Sequence, residues 1–165
     1  MSQTTDYVLG HSDFEIERLQ IQAAALANIT RRLIRECNIQ SGMRVLDIGC
    51  GAGDVSLLLA EAVGPSGLVV AIDREARAVE TVRSRAEAAG HRNIDDIPVT
   101  RSFDAALGRN VLPHQLDPVA MIRKAASAVR PGGVVAFQEF AAYPPNRFQA
   151  FPSVAPLSMI ESLRP

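Results

Sequence analysis

The chain has no tryptophan, only two tyrosines and two cysteines, and in Lys124 a single lysine. These scarcities narrow the field. Two cysteines, Cys37 and Cys50, in 165 residues do not make the disulfide framework of a small secreted domain. His11, His91 and His114 show no metal-ligand spacing, so no metal site is expected, and solvated or capping histidines are the better reading. No apolar run approaches the roughly 18 residues of a membrane span. Met1 to Asp6 carry no basic-then-apolar secretion signal, so a cytoplasmic protein is expected. With a net charge of -1 and no basic stripe interleaved with aromatics, nucleic acid and anionic membrane are not expected partners. The near-exclusive use of arginine reads more readily as base composition than as a design for phosphate.

What is present is enough apolar material, 47% of the residues, for one packed domain. Ser12 to Glu15 form a capping box ahead of a long helix. Ile16, Leu19, Ala23, Leu26, Leu33 and Cys37 recur on one face of it, with Thr30 filling the gap in the stripe. The helix is expected to end before Ser41-Gly42. Short apolar runs at Arg44–Ile48, Leu68–Ile72, Phe103–Val111 and Val134–Phe140 read as strands. Helices are expected over Val55–Val63, Arg74–Ala89 and from Asp117-Pro118 to about Val129, where Asp117 is the N-cap. Continuous apolar strands alternating with helices predict a doubly wound, Rossmann-like α/β fold. Its parallel sheet is covered on both faces, and its site lies at the carboxyl ends of the strands.

The most informative segment is Val45-Leu46-Asp47-Ile48-Gly49-Cys50-Gly51-Ala52-Gly53, which leaves a strand and opens a helix. Its glycines let the backbone turn sharply and approach a ligand, and the following helix points its amide end at that ligand. The nicotinamide fingerprint G-x-G-x-x-G is not met, because Asp54 stands at its third position. Asp47 inside the turn would repel a pyrophosphate and suit an ammonium or sulfonium. Asp73, closing the second strand, is placed to accept hydrogen bonds from both hydroxyls of a ribose. On its own it reads equally well as a strand-end cap. Together these residues point to an adenosine-containing ligand without pyrophosphate.

The segments VLDIGCGAGDVS, VVAIDRE, FDAALGRNVLPHQLDP and VRPGGVVAF, in this order, resemble the class I S-adenosylmethionine-dependent methyltransferases. The likeness is greatest to the small-molecule type that includes the ubiquinone/menaquinone-biosynthesis enzymes, and it runs from about Tyr7 to Phe140. It implies S-adenosyl-L-methionine as cofactor and methyl transfer to a small-molecule acceptor. Asp47, Gly49, Cys50, Gly51 and Gly53 would surround the methionine part, Asp73 the ribose and Arg74 the adenine. Arg109 and Asn110 would line the floor near the reactive methyl, and Tyr7 and His11 would belong to a lid. The electrophile comes with the cofactor, so positioning and desolvation are the protein's main tasks. His114 is the candidate base where the acceptor must lose a proton.

Three stretches follow from this: an N-terminal helical cap over 1–42, a binding core over 43–142 and a proline-rich tail over 143–165. Only His91 to Ser102 separate Gly90 from Phe103, room for no more than a stub of the usual third strand, in which Asp95 or Asp96 would meet the adenine. The proline-rich tail leaves no closing antiparallel strands. The Val134–Phe140 edge, and the Leu68–Ile72 edge if the third strand is absent, are then expected to be exposed, which favours a homo-oligomer through one of these edges or a tail folded back over the first. Cys50 reads as a small packed residue more readily than a nucleophile, and Arg109 as an ion-pair partner nearly as readily as a site residue. Two alternatives stay open: a cofactor-binding but catalytically incomplete protein acting through a partner subunit, and, less favoured, a nicotinamide-dependent oxidoreductase.

Overall fold

A computed structural model describes residues 26–95 and 103–139. Within them a helix, α1, covers residues 26–36. It is followed by β1 (Arg44–Ile48), α2 (Asp54–Val63), β2 (Leu68–Ile72), α3 (Ala76–Ala88), β3 (Ile94–Asp95), β4 (Phe103–Arg109), α4 (Pro118–Ala128) and β5 (Val129–Gln138). The strands form one sheet in the order β3-β2-β1-β4-β5, and every neighbouring pair is parallel. β1 is therefore followed outward by β2 on one side and β4 on the other. This is a switch of direction that opens a crevice at their carboxyl ends.

The strands form because they are short, continuous apolar runs with both faces covered. On one face Val45, Val69, Ala105, Leu107 and Ala136 pack against Ile34 and Cys37 of the α1 region and Val55, Leu59 and Val63 of α2. On the other, Leu46, Ile48, Val70 and Ala106 pack against Ala125 and Ala128 of α4. Asp117 caps α4, its carboxylate accepting from the Ala120 amide at 2.9 Å, with Pro118 in the first turn, as the sequence predicts.

The third strand is the expected stub. Its two residues pair with Val69 and Val70, so the β2 edge is partly covered. Buried Asn93 secures it, donating from Nδ2 to the carbonyls of Ala60 at 3.1 Å and Gly64 at 2.9 Å, at the end of α2. The last strand differs from expectation at its start. The Arg130-Pro131-Gly132-Gly133 turn, read as preceding the strand, lies inside it, because Phe103 pairs with Val129 while Ala105 pairs with Val134. The extra residues bulge out, and a Cβ on Gly133 would stand 2.3 Å from Val129 Cγ1 and 2.5 Å from the Asp104 carbonyl. Among the described residues no strand pairs with the outer edge of β5. The capping box, Tyr7, His11, Asp96 and the proline-rich tail lie outside the described residues.

Candidate functional site

At the carboxyl ends of the strands lie the loops leaving β1, β2 and β4, with Glu139 just after β5. The loop after β1 turns left-handed at Gly49, Gly51 and Gly53, with φ of +68°, +50° and +89°. It is tied to β2 because the Gly49 and Cys50 amides both donate to the Ile72 carbonyl, at 2.8 and 3.1 Å. The three glycines have different neighbours. A Cβ on Gly49 would meet Val111 at 2.7 Å and one on Gly53 would meet Val82 at 2.9 Å, whereas one on Gly51 would meet nothing within 4 Å. Gly49 and Gly53 are thus required by protein packing, and the open side of the turn is at Gly51. Cys50 is buried against Ala71 and Val82. Burial, ahead of the nearby Asp47 and Asp73 charges, pushes its thiol up to about 12, so it is a packed, protonated residue.

Asp73 joins two of the loops. Its Oδ2 accepts from the Gly51 amide and its Oδ1 from the Glu75 amide, each at 3.0 Å. Each carboxylate oxygen keeps acceptor capacity beyond its one backbone donor. The strand-end cap and the ligand-facing roles are therefore compatible. Beside Asp73 an open cleft of roughly 450 Å³ runs along Ala76, Val79, Glu80 and Arg83 of α3. Arg74, expected beside an adenine, is exposed, with Nε 3.8 Å from Glu75, and is not part of the cleft wall; the basic residue on that wall is Arg83.

Beneath the turn lies Asp47, 1% exposed. Its Oδ2 accepts from Ser56 Oγ at 2.5 Å, and its Oδ1 is buried with no hydrogen-bond partner. Burial lifts its pKa from 3.8 to about 6. The Ser56 hydrogen bond and the Arg109 charge pull it down, and Asp73 and Asp54 push it up. α2 starts at Asp54, one residue earlier than predicted, so a carboxylate of the protein's own occupies the amide end of the helix. That carboxylate pairs with Arg85 at 2.9 Å and with Arg109 at 3.6 Å.

Arg109 ends β4 with its side chain 14% exposed. It also donates to Thr30 Oγ1 on α1 at 3.3 Å, so it is at least the ion-pair partner that the sequence allowed. Asn110 follows with φ +56°, its amide bonded to the Gln138 carbonyl at 2.9 Å. His114 is exposed at the end of a short 3₁₀ turn, Leu112–His114.

Two residues of this crevice were missed by the sequence reading. Glu139, just after β5, accepts from the Val111 and Leu112 amides through Oε1, both at 3.1 Å, and so fixes the turn that carries Asn110 and His114. Its position after an apolar strand, in Phe137-Gln138-Glu139, was the available signal. Thr30, read as a filler of the helix stripe, is 1% exposed and bonded to Gln138 and Arg109. A polar residue on a buried face was its only mark.

Comparison with known proteins places this geometry. A family model described as a methyltransferase domain matches residues 39–158. The chain is 41% identical over 103 residues to the ubiquinone biosynthesis O-methyltransferase of Methylocella silvestris, covering 57% of this chain and 38% of that protein. It is 34% identical over 134 residues to aklanonic acid methyltransferase DauC of Streptomyces sp. strain C5, covering 76% and 59%. It thus spans less than two thirds of these relatives' lengths. The fold is similar to that of a SAM dependent methyltransferase from Aquifex aeolicus, at 23% identity and a TM-score of 0.62, covering 70% of this chain and 69% of that one. It is equally similar, at 24% identity and a TM-score of 0.62, to the [4+2]-cyclase SpnF, covering 69% and 44%.

Proposed function

The chain belongs to the methyltransferase-domain family, and on that premise we propose that it binds S-adenosylmethionine and carries its methyl group to a small-molecule acceptor. The observation that carries this reading is the Asp73 carboxylate, held by the Gly51 and Glu75 amides with acceptor capacity left over at the mouth of a cleft. That arrangement suits the two hydroxyls of a ribose. The residues also fit the other end of such a ligand. Asp47, near the end of β1 and just ahead of the glycine turn, keeps a buried carboxylate oxygen without a partner, and such an oxygen attracts an ammonium or sulfonium cation. Asp54 puts a negative charge in the first turn of α2, where a pyrophosphate would sit, which weighs against a nicotinamide dinucleotide.

When bound, S-adenosylmethionine supplies a methyl carbon on a positively charged sulfur, open to attack by a nucleophile of the acceptor. The chain's own work is to hold and to shield. Gly49 to Gly53 admit the ligand and Asp73 orients it, while Arg83 and Val79 wall the cleft. Asn110, with the turn held by Glu139, borders the acceptor side. His114 takes a proton where the acceptor has one to lose. Cys50 packs the turn on the methionine side, and Arg109 ties it from the floor beside the reactive methyl.

Among the described residues no helix is long and apolar enough to cross a membrane. We read the chain as cytoplasmic, without affinity for nucleic acid, and as self-associating through an exposed strand edge unless the tail folds back over β5. We read residues 1–42 as a helical cap, 43–142 as the cofactor-binding core and 143–165 as a tail. Calorimetry with S-adenosylmethionine, S-adenosylhomocysteine and NADH tests the binding claim. Comparable or tighter NADH binding would overturn it. Mass-detected methylation of a panel of small hydroxyl, amine and carbon acceptors separates turnover from the binding-only alternative.

A further inference from the structure

A line of polar contacts crosses the carboxyl end of the sheet from α1 to the glycine turn. Thr30 lies on the buried face of α1, among Ala27, Leu33, Ile34 and Cys37. Its hydroxyl donates to Gln138 Oε1 on β5 at 3.1 Å. A hydroxyl has one proton to give, so its lone pairs are left to accept, and Arg109 Nη1 on β4 donates to it at 3.3 Å. The other arm of Arg109 reaches Asp54 Oδ2 at 3.6 Å, at the first residue of α2. Asp54 Oδ1 holds Arg85 of α3 at 2.9 Å, and the same Arg85 nitrogen donates to the Ala52 carbonyl inside the glycine turn. One contact sequence therefore links α1, β5, β4, α2 and α3, and its far end is the backbone of the turn.

Thr30 contributes little else that a valine of the same shape would not. A β-branched residue gains nothing in helix propensity. The face around it is apolar, and an unpaired hydroxyl there would be costly. What the hydroxyl adds is its place between Gln138 and Arg109. Arg109 is also the cation that opposes the burial of Asp47, so its position bears on both acidic residues around the turn.

We propose that Thr30 is a positioning residue whose hydroxyl latches α1 to Arg109, so that docking of the N-terminal helix and occupancy of the glycine-turn site strengthen one another. The proposal rests on the reading of that turn as the S-adenosylmethionine site. Reciprocity is required by linkage: if a docked α1 raises ligand affinity, the ligand protects a docked α1 by the same factor.

The test uses the full chain as wild type, Thr30→Val, Thr30→Ser and Gln138→Met, with S-adenosylhomocysteine as the probe. Thr30→Val keeps shape and packing and removes the hydroxyl. It is expected to weaken probe binding by roughly tenfold, within the range of about 5- to 150-fold typical of coupled sites. Thr30→Ser, which keeps the hydroxyl, should recover most of that loss. Hydrogen exchange supplies the reciprocal readout. The probe should slow exchange of the amides of residues 26–36 in the wild type and much less so in Thr30→Val. A residue important only for packing would lower melting temperature without moving either quantity. If Thr30→Val does not fold, Gln138→Met on the half-buried strand end carries the same expectation. Wild-type affinity and wild-type protection in the valine variant would overturn the latch. Should the wild type not bind the probe at all, the cofactor reading falls, and the latch is judged on exchange without ligand. Faster exchange over residues 53–57 in Thr30→Val would then sustain it, and unchanged exchange there would refute it.

Discussion

Replacing Asp47 by asparagine is expected to make the ligand-free protein more stable and a weaker binder at the same time. The carboxyl is 1% exposed, and burial raises its pKa from 3.8 to about 6. In the unfolded chain it returns to its ordinary value. Between about pH 4 and pH 6 the folded protein therefore holds a proton that the unfolded chain has released, and stability falls as pH rises through that window. A pKa difference of about two, at ~1.36 kcal/mol per unit, puts the burden of the ionised form at about 3 kcal/mol by neutral pH. Asparagine can still accept from Ser56 Oγ through its carbonyl, but its amide nitrogen inherits the place of the unpartnered Oδ1, which takes back roughly 1–2 kcal/mol. The net expectation is a gain of roughly 1–2 kcal/mol at pH 7.5 that shrinks as pH falls and turns into a loss of roughly 1–2 kcal/mol toward pH 4. The difference between variant and wild type in urea denaturation at pH 4.5, 6 and 7.5 isolates this group from other carboxylates. Asp104 is one of these. The Arg44 amide and Arg130 hold its pKa down, so its contribution is lost as pH falls, the opposite sense. The same variant should bind S-adenosylmethionine tenfold to a hundredfold more weakly, about the value of a hydrogen bond to a charged group. A stability difference that does not change with pH, or unchanged affinity, would refute the placement of Asp47 as a buried ionised anchor.

Asp73→Ala should weaken cofactor binding by roughly 1–3 kcal/mol, read by calorimetry. Because it also frees the Gly51 and Glu75 amides, a modest fall in melting temperature is expected alongside. Gly51→Val should abolish or strongly weaken binding, since it fills the one open side of the turn. The left-handed φ of +50° adds a stability loss of about 1–2 kcal/mol, so binding of S-adenosylhomocysteine at the wild-type level by the folded variant would remove the turn from the site. Gly133→Ala, far from the ligand, should cost about 1–3 kcal/mol of stability through collisions with Val129 and the Asp104 carbonyl, without changing cofactor affinity measured well below the melting temperature.

Much of the fold was legible because its signals are local. Apolar runs of about five to seven residues bounded by turn residues give β1, β2 and β4, and Asp117-Pro118 gives the start of α4. The Asp47-to-Gly53 turn was legible because its chemistry is contiguous in the chain. The start of β5 was misread because Pro131-Gly132-Gly133 is a turn signal everywhere except where a bulge absorbs it, and a bulge is defined by the partner strand, here the Phe103 and Ala105 register. Within the turn, sequence could not separate the glycines. Gly49 and Gly53 are fixed by Val111 and Val82, which lie far along the chain, and only Gly51 is left with an open side.

The polar ties across the crevice were illegible for the same reason, more severely. Thr30 and Gln138 are 108 positions apart, and Thr30 and Arg109 are 79 apart. Pattern reading assigns Thr30 by the period of its helix, and a helix stripe tolerates a threonine. It assigns Arg109 by its place at a strand end and can only offer ion pair or site as alternatives. Once the sheet order brings β4 and β5 beside α1 and α2, those alternatives merge. An arginine that pairs with Asp54 is a structural residue, and the pair borders the glycine turn proposed as the ligand site. The Arg109 and Asp54 side chains are 14% and 20% exposed, so breaking their pair leaves the remaining charge largely desolvated with nothing to balance it. For that reason residues with no expected ligand contact, Thr30 first among them, are expected to change affinity more than the exposed Arg74, which the sequence placed at the adenine.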